Sequence, residues 1–125
     1  MDLVGVGVGA VGLLQVAVVI YVVTKAAAAG TIDVNSAVGI RTKTTRSSQQ
    51  AWEVAHRAAF PWVRGASVLC VTAAVVALAG LVFLRGSAEI VVGALVLGYV
   101  GLLVLMFVAT AAGHRAVRRS ESGGV

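Results

Sequence analysis

The chain has 125 residues, of which 59% are apolar and 12% charged, with 15 glycines and a formal charge of +5. A soluble fold of this length has too little interior to hide so much apolar surface, and the same apolar content excludes an unfolded chain. A single cysteine, Cys70, excludes an internal disulfide, and with two histidines it leaves no Cys/His metal cluster to build. Composition alone therefore points to a small integral membrane protein, with no cofactor or metal expected.

Three apolar spans follow in chain order. Leu3–Thr24 carries one strongly polar residue, Gln15; residues 65–84 carry no charge; residues 90–113 form the third. Each matches the roughly 20 residues a helix needs to cross a bilayer core of about 30 Å. Valine-rich as they are, such spans are helical, because lipid offers the backbone no hydrogen-bond partner. The first is not expected to be a cleaved signal, since Asp2 stands where a basic cluster belongs and its apolar run is too long. The fold class expected is an all-α membrane protein in one domain, residues 1–125, with three transmembrane helices and a short interfacial amphipathic helix before the second.

Within the first span, Gly7, Gly9 and Gly12 satisfy the dinucleotide-binding spacing G-x-G-x-x-G, and Asp33 follows at the distance of a ribose acid. The apolar run does not break there as a strand–turn–helix would. Gly5, Gly9 and Gly12 read instead as a small-residue face for helix packing, as do Ala66, Cys70 and Ala74 in the second span and Ala94 and Gly98 in the third. Gln15 reads as a polar tie between helices rather than part of a substrate path. The spans hold no buried charge of the kind that ion-coupled transport usually needs.

Basic residues set the expected orientation. Lys25, Arg41, Lys43, Arg46, Arg57 and Arg64 lie in the connection at residues 25–64, and Arg115, Arg118 and Arg119 lie in the tail at residues 114–125. Arg85 is alone in the turn between spans two and three. Nine basic residues thus share one side, which predicts an inner-membrane protein with its N-terminus outside and its long loop and C-terminus in the cytoplasm. The partners expected are the bilayer and its anionic headgroups, together with a protein partner or a second copy through the small-residue faces. Nucleic acid is not expected, since no aromatic-interleaved basic patch is present.

The long loop holds most of the information. Seven of the eighteen residues from Thr31 to Ser48 are Ser or Thr, and Val38 and Ile40 flank Gly39 in a segment expected to lie ordered against the membrane. Ser47 reads as an N-cap with Gln50 at the capping-box position, opening an interfacial helix over residues 48–60. On it Trp52, His56 and Ala59 share one face, Glu53 pairs with Arg57, and Pro61 is expected to kink or break the chain where span two begins. His114 reads as a polar end-cap of span three.

Asn35, the run Gly39-Ile40-Arg41-Thr42, then Thr45, Ser48, Trp52 and the pair His56-Arg57 form an ordered series that resembles the signature of the SdpI family of bacterial membrane proteins. The resemblance covers residues 35–84, about 40% of the chain. It implies a multi-pass membrane fold, and a role like that of the namesake, which protects its producer from a secreted killing peptide and signals to a transcriptional repressor. Physically, Asn35, Arg41, Thr42, Thr45, His56 and Arg57 supply donors at headgroup level that suit an anion, or else a structural latch anchored by Trp52. Catalysis is not expected, because His56 has no nucleophile or carboxylate orienter within local reach. The function expected is non-enzymatic binding, as an immunity or signalling factor or an accessory subunit; the alternative is a small oligomeric transport or efflux component.

The orientation is directly testable. A reporter active only in the cytoplasm, fused after Val125 or inserted at Ser36, is expected to be active. A cysteine replacing Ser87 is expected to react with an impermeant reagent from outside, whereas outside labelling of Ser36→Cys would overturn the three-span arrangement.

Overall fold

The structure, a computed structural model, describes residues 2–36, 38–83 and 88–123. It comprises three helices, α1 (Leu3–Ala28), α2 (Gln49–Phe83) and α3 (Ala88–Gly123), and the described residues contain no strand. Each helix is long and apolar enough to cross a membrane, which makes the protein a multi-pass membrane protein. Arg85 and the turn expected around it lie outside the described residues.

Local chemistry sets the helix ends. Asp2 caps α1 by accepting the Val4 N–H at 3.1 Å, and Lys25 stands in its last turn beside the exposed carbonyls. Gly30, at φ +81°, then turns the chain out of the helix. Ser48 caps α2 through its hydroxyl, which accepts the Ala51 N–H at 2.9 Å. The cap thus lies one residue later than the sequence pattern indicates; the Ser47 hydroxyl donates instead to the Thr44 carbonyl.

No separate interfacial helix precedes the second span. Residues 49–60 are the first turns of α2, which runs through Pro61 without a break. Proline removes one backbone donor, but Ala59 and Val63 on either side of it are fully buried against Ala109 of α3, so both halves are held to the same neighbour. At 1.5 Å per residue α2 is about 52 Å long, against a hydrocarbon core of about 30 Å. Its more polar first half, up to Arg64, therefore projects from the loop end, and its apolar part from Gly65 onward crosses. Tyr21 and Phe60, with ring centroids 5.4 Å apart, and half-exposed Trp62 form an aromatic belt at that boundary. Likewise α3 continues past residue 113, so Arg115, Arg118 and Arg119 stand on a helix and His114 lies well inside it rather than at its end.

Helix α2 is the centre of the packing. Ala10, Leu13 and Ala17 of α1 close on Cys70, Ala73 and Ala74 of α2, and Ala77 packs with Val6 and Val91. The Ser67 hydroxyl donates to the Ala17 carbonyl at 2.9 Å, a polar tie between α1 and α2. Gly9 and Gly12 of the false nucleotide motif face α3: Gly9 lies beside Leu95, its carbonyl accepts the Tyr99 hydroxyl at 2.8 Å, and a Cβ on Gly12 would meet that same hydroxyl. Such close approaches supply the van der Waals contact that drives helix association in lipid.

Gly98 sits at the tightest three-helix junction, where a Cβ would come within 2.8 Å of Ala73 Cβ and 2.9 Å of a Leu13 methyl. Gly98→Ala is expected to cost about 1–3 kcal/mol by overpacking, against an intrinsic helix gain of about 1 kcal/mol. Gly93→Ala, with nothing within 4 Å, is expected to be neutral or stabilising. Melting of both variants in one detergent checks this.

Candidate functional site

The described residues of segment 31–48 fold back over the projecting ends of α2 and α3; the Val34 N–H donates to Gln49 Oε1 at 3.0 Å at the start of α2, and three further contacts hold the loop there. Trp52 is fully buried and its indole N–H donates to the Ile32 carbonyl at 2.8 Å. His56, also fully buried, accepts the Ile40 N–H at Nε2 (2.9 Å) and donates from Nδ1 to the Trp52 carbonyl (2.7 Å). These partners fix the neutral tautomer, since an amide N–H needs a lone pair at Nε2 and a carbonyl needs a proton at Nδ1. The third contact joins the loop to α3, where Thr42 Oγ1 lies 2.8 Å from His114 Nε2.

Thr45, fully buried, organises the turn from within. Its hydroxyl donates to the Ile40 carbonyl at 2.7 Å and accepts the Thr42 N–H at 3.0 Å, while its own N–H donates to Thr42 Oγ1 at 3.2 Å. Gly39 explains the shape of the loop. Its φ of +103° is one that other residues rarely adopt, and a Cβ there would lie 2.8–2.9 Å from Trp52 Cη2 and His56 Nε2. The backbone passes directly over the Trp52 and His56 rings, which lie 4.2 Å apart.

Of the residues singled out in the sequence, Gly39, Ile40, Thr42, Thr45, Trp52 and His56 come together in this one network. Asn35, Arg41 and Arg57 do not join it; all three are exposed. The Asn35 N–H donates to the Asp33 carboxylate at 3.0 Å in a local turn. Arg57 Nε donates to the Glu53 backbone carbonyl at 3.4 Å, and no ion pair joins the two side chains among the described residues. The Glu53 carboxylate instead lies against Gly30. The single donor cluster expected from the sequence is thus divided: the buried polar groups satisfy one another, and the arginines face outward.

His114 is the member that the sequence reading placed wrongly. Met106, Thr110 and His114 recur every fourth residue and so share a face of α3, a periodicity that links the apolar wall of the site to its polar rim. Beside them lies a groove of about 450 Å³ between α1, α3 and the loop, walled by Val19, Val23 and Met106 and rimmed by Thr24, Thr110 and Arg41.

Burial pushes the His56 imidazole below its ordinary pKa of 6.5, against a smaller opposing effect of the Trp52 carbonyl. A base with a depressed folded pKa binds more protons unfolded, so its contribution to stability is complete above 6.5 and lost as pH falls below it toward the folded value. Melting in detergent is expected to be flat from pH 8 to 7 and to drop toward pH 5. His56→Ala is expected to lose about 1–3 kcal/mol at pH 8 and to remove part of that acid sensitivity. Equal pH profiles for wild type and variant would show that the imidazole does not hold the loop.

A family model, that of the SdpI/YfhL protein family, matches residues 31–113, about two thirds of the chain. The matched stretch opens at the start of the latched loop and takes in α2 and most of α3. No curated protein and no solved structure matches the chain.

Proposed function

The chain belongs to the SdpI/YfhL family, and on that footing we propose that it is a non-enzymatic membrane protein that acts by binding, as an immunity or signalling factor or an accessory membrane subunit. The binding site in this proposal is the groove between α1 and α3, and Arg41 at its rim is the residue that selects the ligand. One observation carries the reading. His56, Thr42, Thr45 and Trp52 spend their polar atoms on one another and on the loop backbone, whereas the Arg41 guanidinium is exposed and makes no hydrogen bond among the described residues.

An apolar trough with an arginine at its lip fits an anionic amphiphile: a lipid, or a membrane-active peptide entering by its carboxylate. In favour of binding over catalysis, both ring nitrogens of His56 are engaged by backbone groups, which leaves it no lone pair for a substrate proton. The nine-to-one distribution of basic residues favours a cytoplasmic loop and C-terminus. On that side the exposed basic side chains meet anionic headgroups, at about 1 kcal/mol per residue near the surface.

Arg41→Lys separates the planar fork of donors from charge alone. Arg41→Ala and Arg41→Lys are expected to fold with stability within about 0.5 kcal/mol of wild type. Their affinity for an anionic lipid in detergent is expected to fall about tenfold or more, as for loss of a charge-assisted hydrogen bond of about 1.5–3 kcal/mol, with a parallel loss of any protection against membrane-active peptides in cells. Arg118→Lys is expected to be silent in both assays. Wild-type behaviour of Arg41→Ala in both would overturn the reading.

A further inference from the structure

Helix α1 carries two heptad stripes on opposite faces. Val6, Ala10, Leu13, Ala17, Thr24 and Ala27 are buried against the rest of the molecule. Val4, Val8, Val11, Gln15, Val18 and Val22 recur at alternating steps of four and three, and all six are exposed. Five of these six are valine. The sixth is a primary amide at the midpoint of the helix, with about 18 Å of helix on either side of it at 1.5 Å per residue.

That amide cannot be satisfied where it stands. The Gln15 side chain makes no hydrogen bond among the described residues, it is too far from either membrane face to reach water, and lipid tails offer neither donor nor acceptor. We propose that α1 pairs in parallel with α1 of a second copy of this chain, the valines interlocking at heptad positions and Gln15 hydrogen-bonding to Gln15 of that copy across a twofold axis. Several observations favour a second copy over another occupant. Copies inserted in the same orientation place Gln15 at the same depth, so the two amides meet. Each amide has one carbonyl and one NH2, so the pair is self-complementary under a twofold axis. The 3.5-residue period of the exposed stripe is the one that keeps two helices in register as they supercoil, and a single polar residue at such a seam fixes register and partner number. A shallow surface groove lined by Leu14, Gln15, Val18 and Val19 provides the seat. The seam lies outside the matched residues 31–113; it borders α2 at Val18 and Val22 and adjoins the loop groove at Val19.

The experiment uses the full chain, in lipid vesicles or the cell membrane, with energy transfer between two labelled populations. Wild type is expected to form a dimer. Gln15→Leu is expected to weaken association about three- to thirty-fold, the range that interhelical hydrogen bonds in membranes span, while Gln15→Asn retains most of it. Melting of Gln15→Leu in detergent at low protein concentration controls for folding and is expected to match wild type, since the side chain touches no other helix. Single cysteines at Val11, Val18 and Val22, in a Cys70→Ala background, are expected to cross-link between copies, and one at Leu103 of α3 is not. A monomeric wild type overturns the proposal and assigns Gln15 to a different protein. So does a dimer indifferent to Gln15→Leu or cross-linked through Leu103, and assembly in any number other than two overturns the paired geometry.

Discussion

Everything at the loop end of this protein depends on one neutral imidazole. His56 lies under the loop with a lone pair toward the Ile40 N–H and a proton toward the Trp52 carbonyl, so a single ring ties the loop backbone to the helix that supports it. Charge would defeat this, because an imidazolium has no lone pair for Ile40 and would be buried without a counter-ion. The other features follow from the need to bring a backbone amide onto that nitrogen. Gly39 supplies the positive φ and the missing side chain that let the chain pass over two rings, and Thr45 holds the carbonyl of Ile40 while the latter's N–H is engaged. His114 then fixes Thr42 to α3, so the loop is fastened at once to two helices.

Below the loop the packing obeys a different rule. In lipid no hydrophobic force draws helices together, so closeness itself must stabilise them, and alanine, glycine and cysteine line α2 where α1 and α3 meet it. Leu13 is the large exception, a fully buried side chain that fills the junction left open by Gly98. The two regimes meet at the aromatic belt of Tyr21 and Phe60. Below it small apolar contacts predominate, with the Ser67–Ala17 and Tyr99–Gly9 hydrogen bonds among them; above it the loop is held by a hydrogen-bond network.

Periodicity and residue type made much of this legible. Three apolar runs of sufficient length specify three helices, and the i, i+4 spacing of Trp52 and His56 places them on one buried face. What the sequence concealed was governed by contacts distant along the chain. Pro61 marks a break in any local reading, yet the helix persists because Ala59 and Val63 share one neighbour on α3. His114 lies 72 residues from Thr42, and neither residue alone signals the other. Glu53 and Arg57 have the right spacing for a pair, but the Glu53 carboxylate turns toward Gly30, a residue brought near by the path of the loop and not by the helix.

Polar groups in such a protein have three fates, and the residues sort among them by what surrounds them. Those buried in the latch are satisfied internally and make the fold definite. Those on the exposed surface of the loop end, Arg41 and Arg57 among them, face outward from the fold. Gln15 fits neither case, because it is exposed and yet has no water. A polar group in the third position is unfavourable for the isolated chain at every moment it remains unpaired, and the chain can relieve it by association, which lipid-facing valines would not require. Arg41 and Gln15 each carry polar side-chain atoms that no other group among the described residues engages. One lies within the family-matched segment at the mouth of a groove, the other outside it on α1, and Val19 lines both surfaces.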